Sequence, residues 1–507
     1  MEEKTLKATV CSVETVFKES AEVPVDIEFN LPDYCPEISR ILKCRAVPRV
    51  SSKSAANRGI TVDGSVTVTV IYADGENTVN SYEYQYPFSK SFESNTDTDD
   101  CSVAVRAKSE YINCRAVTER KIDIHGAVSI SAVLTCRRNK EIINDIKDEN
   151  IKTRRKSVSA TVPVAEAEKY VILEEEIEAG ASRPDIKCLI RYDAVAFIDE
   201  CKLLAEKAIV KGTVSVNLLY RTRSGEIEPL SAEIPFSQLI EVSGALDNQI
   251  CEADAYIAYL EVKPKFGTSG EARAFALDGK LRITVKTFTD EDIELIIDAY
   301  SRKYEAQISS EDICINKLIL NVNDTFTCKD DIDFKEPVSK ICDIRCEVKE
   351  QNTRNEGECL YIYGTVGTEI IALDDTGAPR FFEKSIDFEY TYKIPAGCQN
   401  VTAVPHVTVK ETNYTLQSEN TMEIRAQMAV SASVYECRKT ALINSVTVDE
   451  NKPIKGAKRP AMTVYFAEAG ESVWDISRRY LADAERVMAQ NKIKDDNITK
   501  RQMILIV

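Results

Sequence analysis

The feature that most constrains this chain is that it repeats itself. "VDGSVTVTVIYADGE" (62–76) returns as "VKGTVSVNLLYRTRSGE" (210–226) and, more drifted, as "IYGTVGTEIIALDDTGA" (362–378). Each copy has a glycine (Gly64, Gly212, Gly364) followed by apolar residues at alternate positions: Val66/Val68/Val70, Val214/Val216/Leu218 and Val366/Ile370. Ser, Thr and Asn between them complete the period-two pattern of a strand with one buried and one wet face. A glycine turn closes each strand, at Asp74-Gly75, Ser224-Gly225 and Thr376-Gly377. A second strand pattern keeps step further on, as "HGAVSISAV" (125–133), "DGKLRITVK" (278–286) and "RAQMAVSAS" (425–433). Landmarks repeated in one order at near-constant spacing predict three homologous β-rich domains.

Between these landmarks "YPFSKSFE" (86–93) matches "IPFSQLIE" (234–241), with "IDFEYTYKIPAG" (386–397) at the third position. Each lead-in carries a proline (Pro36, Pro184, Pro337) that separates one strand from the next. Strands of roughly five to nine residues between turn signals favour antiparallel sandwiches or barrels, and periodicity does not choose between the two. The charged stretch 142–161 reads as the connection between the first two domains, with a similar change near 300–311. The expected division is 1–150, 151–304 and 305–450, then a linker at 451–461 and a terminal domain at 462–507. That predicts three β-domains in an elongated body.

At 507 residues the chain exceeds what one core supports. No run approaches the ~18 apolar residues of a membrane-spanning helix, and the acidic N-terminus does not read as a signal peptide. A net charge of −17 argues against general nucleic-acid binding, which needs a basic surface. The 16 cysteines are scattered, without Cys-x-x-Cys, and there are two histidines, His125 and His406. No metal site or cofactor is expected, and the cysteines read as reduced, buried small hydrophobes of a cytosolic protein. No Ser-His, Cys-His or phosphate-loop pattern is present, so the chain reads as non-enzymatic.

The end of the chain is built differently. "NKPIKGAKRPAM" (451–462), rich in Pro, Gly and Lys, reads as a tether. After it, "MTVYFAEAG" is a short strand and turn, Ser472 is a candidate N-cap, and Asp475 three residues on fits a capping box. Val473, Ile476 and Tyr480 have core-facing helical spacing, and Val487 marks a second helix ending near Asn491. "RQMILIV" closes the unit as a strand, giving a small βααβ fold. Trp474, the single tryptophan, falls off the core-facing stripe and is expected to be exposed or half-exposed, as a sugar platform or a protein anchor.

These residues support two resemblances. The Gly-strand-Tyr, Pro-Phe-Ser and second Gly-strand pattern resembles the SPOCS domain of endospore-forming Firmicutes, over most of 1–450. The third copy departs from it, lacking Pro-Phe-Ser and having Ala372 where the others have Tyr72 and Tyr220. The motifs of that family are structural and imply a scaffold. The segment 462–507, with Tyr465, "GESVWDIS" (470–477), Asn491 and "RQMILI" (501–506), resembles a LysM domain, with Glu471 in place of the customary Asp and Arg501 in place of the closing Gly. The resemblance makes Gly470, Glu471, Ser472, Val473, Trp474, Asp475, Asn491 and Arg501 the candidate partner- or glycan-binding groove. SPOCS domains followed by LysM occur in clostridial spore coat morphogenesis proteins. The implied role is an adaptor in the mother-cell cytosol at the forespore surface, whose LysM domain engages the coat-anchoring morphogenetic ATPase beside other coat proteins. The alternative ligand is an N-acetylglucosamine-containing glycan of peptidoglycan or cortex.

Overall fold

The computed structural model describes residues 5–98, 101–180, 183–267, 270–454 and 462–507. The first eighteen strands fall into three runs of six. The first run is β1 (Thr5–Asn30), β2 (Arg40–Ala56), β3 (Gly59–Ala73), β4 (Val79–Glu93), β5 (Cys101–Ala116) and β6 (Lys121–Ile146). The second is β7 (Ile151–Glu178), β8 (Ile186–Leu204), β9 (Lys207–Thr222), β10 (Ile227–Glu241), β11 (Ile250–Phe266) and β12 (Ala272–Ser301). The third is β13 (Tyr304–Asp333), β14 (Lys340–Glu356), β15 (Cys359–Leu373), β16 (Pro379–Lys393), β17 (Val401–Ser418) and β18 (Thr421–Pro453). In every run the second, third and fourth strands make one antiparallel sheet, and the first, sixth and fifth make another.

The period-two residues are the cores. Val66, Val68 and Val70 on β3 face Val128, Ile130 and Ala132 on β6. Val214, Val216 and Leu218 meet Leu281, Ile283 and Val285 in the second run, and Val366 meets Met428, Val430 and Ala432 in the third. Each fully buried aliphatic side chain contributes about 1.5–3 kcal/mol relative to exposure. Among the described residues no ladder joins the two sheets of a run, so each run is a sandwich of two three-stranded sheets.

The strands are far longer than the sequence pattern suggests, and two expected connections are strand. Ile142 and Ile143 are buried in β6 and Ile151 and Val158 in β7, leaving only a short turn at 147–150. Likewise Tyr300 lies within β12, which runs to Ser301, and β13 starts at Tyr304. β18 also runs on through Asn451, Lys452 and Pro453, residues read as linker; 455–461 lie outside the described residues. Charged residues on one wet face hid these strands, while bulges such as those at Thr15/Phe17 and Ile296/Asp298 bend them and keep them in one sheet.

Gly64 and Gly212 have a packing reason. Opposite each, the neighbouring strand bulges, between Val50 and Ser52 and between Ile198 and Glu200. A Cβ at Gly64 would collide with the Arg49 carbonyl oxygen and the Phe88 ring; one at Gly212 would collide with the Phe197 carbonyl oxygen and the Phe236 ring. Phe88 and Phe236 come from the Pro-Phe-Ser motif, and Phe388 stands opposite Gly364 in the same register. The third copy has therefore lost Pro and Ser but kept the phenylalanine that matters to packing.

The three sandwiches close on one another, so the body is not elongated. Arg221 of β9 donates to Asn80 of the first run at 2.8 Å, and Tyr192 donates to Glu83 at 3.0 Å. Arg191 makes a two-pronged contact with Asp343 of the third run, at 2.7 Å to each oxygen. Lys43 of the first run returns the contact to Glu369 at 3.5 Å. At the meeting point Asp193 accepts from Arg45, Arg191 and Arg345, one arginine from each run. Beside it Ile71, Leu219 and Ile371, matching residues of the three repeats, share one apolar cluster with Ile190 and Cys342. A second shared cluster joins Ile143, Ile296 and Ile443.

Three cysteine pairs are disulfides, Cys101–Cys136, Cys201–Cys251 and Cys314–Cys437, correcting the expectation of reduced thiols throughout. Their partners stand 35, 50 and 123 residues apart, so spacing gave no signal. Ladder pairing brings Cys101–Cys136 and Cys314–Cys437 together, and the packing of one sheet on the other brings Cys201 to Cys251. Cysteine usage thus does not argue for a reducing compartment. Cys35, Cys44 and Cys342 are buried and free.

The terminal unit is β19 (Thr463–Ala467), α1 (Val473–Arg479), α2 (Ala484–Asn491) and β20 (Gln502–Ile506), with β19 and β20 antiparallel. Val473, Ile476, Val487 and Ile504 form its core, with Tyr465 and Tyr480 packed against it. No helix among the described residues is long and apolar enough to cross a membrane.

Burial raises the Asp193 carboxyl pKa, but Arg45, Arg345 and Arg191 outweigh it and hold the group well below the ordinary carboxylate range. A depressed carboxyl stabilises the fold above its unfolded pKa of about 3.9, and that stability is lost as pH falls further. Asp193→Asn is expected to cost about 3–5 kcal/mol at neutral pH, because three buried arginines lose their shared partner. In denaturant unfolding, the gap from wild type should narrow below about pH 4. Gly212→Ala should lose about 1–3 kcal/mol by overpacking. Gly279→Ala, whose Cβ would meet Leu260 and the Tyr259 oxygen at an ordinary 3.4 Å, should be close to neutral in the same assay.

Candidate functional site

The groove residues lie on the β19–α1 loop and the loop after α2, which are stitched together. Gly470 has φ of +95°, the left-handed region that favours glycine, and its N–H donates to the Ile498 carbonyl at 2.7 Å. The Ile498 N–H returns to the Glu471 carbonyl at 2.8 Å, and the Val473 N–H donates to Asp496 O at 2.8 Å. Ser472 is the N-cap of α1: its hydroxyl accepts from the Asp475 N–H at 3.3 Å and donates to Asp496 Oδ2 at 2.9 Å. Asp496 Oδ1 also takes the Trp474 N–H at 2.8 Å, so this carboxylate satisfies a free donor of the first helical turn.

The two departures from the LysM pattern brace the loop. Glu471 accepts from the Glu468 N–H at 2.8 Å and from the Tyr465 hydroxyl at 2.7 Å, and these bonds hold its carboxyl below the usual range. Arg501 reaches Glu468 at 3.2 Å with its side chain 71% exposed. Asp475 is exposed and Val473 is core. The Asn491 side chain is engaged within the domain: its amide donates to Val487 O and Leu505 O, and its oxygen takes the Leu505 N–H, each at 2.8 Å. It locks α2 to β20.

Trp474 is 5% exposed, which corrects the expectation of an exposed platform. It points away from its own core, as its off-stripe position implies, and into the second sandwich. Its ring stands edge-on to Tyr300 with centroids 4.8 Å apart, and its indole N–H donates to Asp298 Oδ2 at 2.8 Å. Arg478, one turn on, reaches the same carboxylate at 2.9 Å. The Tyr300 hydroxyl donates to the Ala482 carbonyl at 2.7 Å, and burial pushes its pKa up to about 12. Lys152 meets Asp483 at 2.6 Å and Arg154 meets Asp496 at 2.5 Å. Burial works against the Asp483 carboxylate, but Lys152 and the Arg486 N–H outweigh it and lower its pKa. Asp298 pairs with Arg154, and Tyr300 with Lys152, across the β7–β12 ladder, so the four share one face.

Sequence reasoning missed Lys152, Arg154, Asp298, Tyr300, Asp483 and Asp496. The first four lay within or beside stretches read as connections, although the polar alternation Lys152-x-Arg154 and Asp298-x-Tyr300 was a visible strand signal. The other face of the β19–β20 pair presents Val464, Phe466 and Met503, with Phe466 62% exposed. Inside the ring, a cavity of about 3740 Å³ is lined by β2, β5, β8, β11, β14 and β17. His406 faces it near Asp254 and Arg106; burial lowers the His406 pKa and Asp254 opposes that shift. His125 stands in β6, exposed between Asp26 and Asp123 at 2.9 and 3.1 Å.

Asn491→Ala removes three hydrogen bonds to backbone and leaves their partners unpaired. It should destabilise the terminal unit by about 1–3 kcal/mol, read as an earlier unfolding transition of Trp474 fluorescence in the full chain.

A family model described as "SipL, SPOCS domain" matches residues 37–133 and 185–265, within the first and second sandwiches. A LysM domain model matches 468–507. No curated protein and no solved structure matches the chain. Both matched families are non-catalytic binding domains, the first tied to sporulation and the second to peptidoglycan. The chain carries SPOCS domains, followed by a C-terminal LysM domain.

Proposed function

We propose that the protein is a non-enzymatic adaptor in endospore coat assembly, whose LysM domain docks onto the coat-anchoring morphogenetic ATPase at the forespore surface. The observation that carries this reading is the Trp474 face of the LysM domain, which already engages protein: an aromatic edge contact, an indole hydrogen bond and three charged partners on β7 and β12. Such a mixture of an aromatic anchor with charged neighbours is the composition of a protein interface. In the groove, by contrast, the backbone donors of Gly470 and Val473 and the carboxylate of Glu471 are spent within the domain.

In this reading 1–150, 151–304 and 305–450 are three SPOCS repeats forming one closed scaffold, and 462–507 is the docking end. Linking many scaffold surfaces to one docking domain raises the effective concentration of weak contacts. The mother-cell cytosol follows from the partner. Binding of an N-acetylglucosamine-containing glycan is the second reading, favoured by the LysM match itself.

The test is retention of the full chain, and of a truncation lacking 462–507, on the purified coat ATPase and on purified peptidoglycan. The adaptor reading expects retention by the ATPase that falls at least tenfold in the truncation, with little on peptidoglycan. Strong LysM-dependent retention on peptidoglycan, with none on the ATPase, would sink it.

A further inference from the structure

We propose that Asp298-Ala-Tyr300 of β12 is an in-chain ligand for the LysM domain, and that the domain's external protein partner displaces it by presenting a carboxylate and an aromatic ring two residues apart on an extended segment. The proposal rests on the protein-ligand reading above and adds what that ligand must look like.

Residues i and i+2 of a strand share a face. On β12 this places the Asp298 carboxylate under the Trp474 indole N–H and the Arg478 guanidinium, at 2.8 and 2.9 Å. It also places the Tyr300 ring against the Trp474 edge and the Tyr300 hydroxyl on the Ala482 carbonyl at 2.7 Å. Arg302, two residues further, donates to the Leu481 carbonyl at 3.3 Å. The strand therefore reads along α1 and the α1–α2 loop as acid then aromatic at alternate positions, and Arg302, in the bend that follows β12, adds a base. β7 adds Lys152 to Asp483 and Arg154 to Asp496.

The contact is built to be reversible. Its apolar part is one small cluster of Tyr300, Trp474 and Ala484, separate from the cores of both domains. Two of its ion pairs are partly in solvent, with Arg478 52% exposed and Arg154 37%, so both are weak and screened by salt, while Lys152–Asp483 is more enclosed. β18 pairs Pro453 with Tyr304, and the Ile454 N–H bonds the Lys303 carbonyl, so the chain leaves for the LysM domain beside its own docking strand. A short covalent path makes even a weak contact well populated, and an outside ligand then binds only the released fraction.

Trp474 is the single tryptophan and so reports the contact in the full chain, without any partner. Wild type should show blue-shifted emission and slow acrylamide quenching. Asp298→Asn, Tyr300→Ala and, from the LysM side, Arg478→Ala should each red-shift the emission and raise the quenching constant at least twofold. About 1 M NaCl, where the Debye length is near 3 Å, should do the same to wild type. A synthetic peptide of residues 294–303, added in excess to the Asp298→Asn chain, should reverse the shift, and the same peptide with Ala at 298 and 300 should not. Unchanged quenching in all three variants, with circular dichroism and thermal unfolding as in wild type, would overturn the in-chain ligand. Release that the native peptide fails to reverse would overturn the acid–aromatic recognition. Because no coat ATPase is present, failure here is separate from failure of the retention assay, which tests the adaptor role alone.

Discussion

Asp193 holds the architecture together. One carboxylate, deep at the junction, is shared by Arg45, Arg191 and Arg345, an arginine from each sandwich. Around it Arg191 also grips Asp343, and Arg345 reaches Glu347 and Glu369; burial is outweighed at Glu347 by Arg345, Arg45 and Lys349, taking its pKa down to about 2. Arg45, Asp193 and Arg345 occupy the same register position of β2, β8 and β14, opposite Thr69, Asn217 and Glu369. Three identical copies would bring three like charges together there, which is strongly unfavourable in a buried site. Joining the copies in one chain lets the repeats diverge, so that an acid stands where its neighbours have bases. The ring is thus a product of sequence asymmetry within a symmetric scaffold.

That ring also answers a problem of three-stranded sheets, which have two edges each. Of the twelve edge strands of the three sandwiches, six (β2, β5, β8, β11, β14 and β17) line the inner cavity. Turned inward and studded with Lys, Arg, Glu and Ser, they are shielded from pairing with another chain. The wet face of the period-two pattern therefore looks into a shared inner cavity as well as outward, which is why an ordinary alternating pattern carried no hint of a closed body.

How much was legible follows from range. The core faces of β3, β6, β9, β12, β15 and β18 were readable because period two is a local property, and Ser472 was readable because capping is local too. The fold of 142–161 was not, since Lys152, Arg154 and Arg155 made a buried-backed strand look like a charged connection. Ring closure depends on pairs such as Arg191–Asp343, and the disulfides on Cys314–Cys437; neither leaves a mark in local spacing. Phe388 shows an intermediate case. The Pro-Phe-Ser signature had dissolved, but the position facing Gly364 kept its aromatic ring because the fold needs that contact.

Trp474 shows where a helical wheel stops being informative. The wheel separates residues that face the domain's own core from those that do not, and it placed Trp474 correctly outside the stripe of Val473 and Ile476. It says nothing about what lies opposite. Here the surface opposite is the Asp298–Tyr300 face of β12, so an outward tryptophan is buried. The groove departures point the same way. Glu471 and Arg501 act within the domain, the first through Tyr465 and the Glu468 N–H and the second through the Glu468 side chain. Glu471 ties its loop to β19, and Arg501 adds an exposed ion pair, while the helical face keeps an aromatic ring, an indole donor and a guanidinium in register with a strand. Those are the groups that protein interfaces concentrate at their centres.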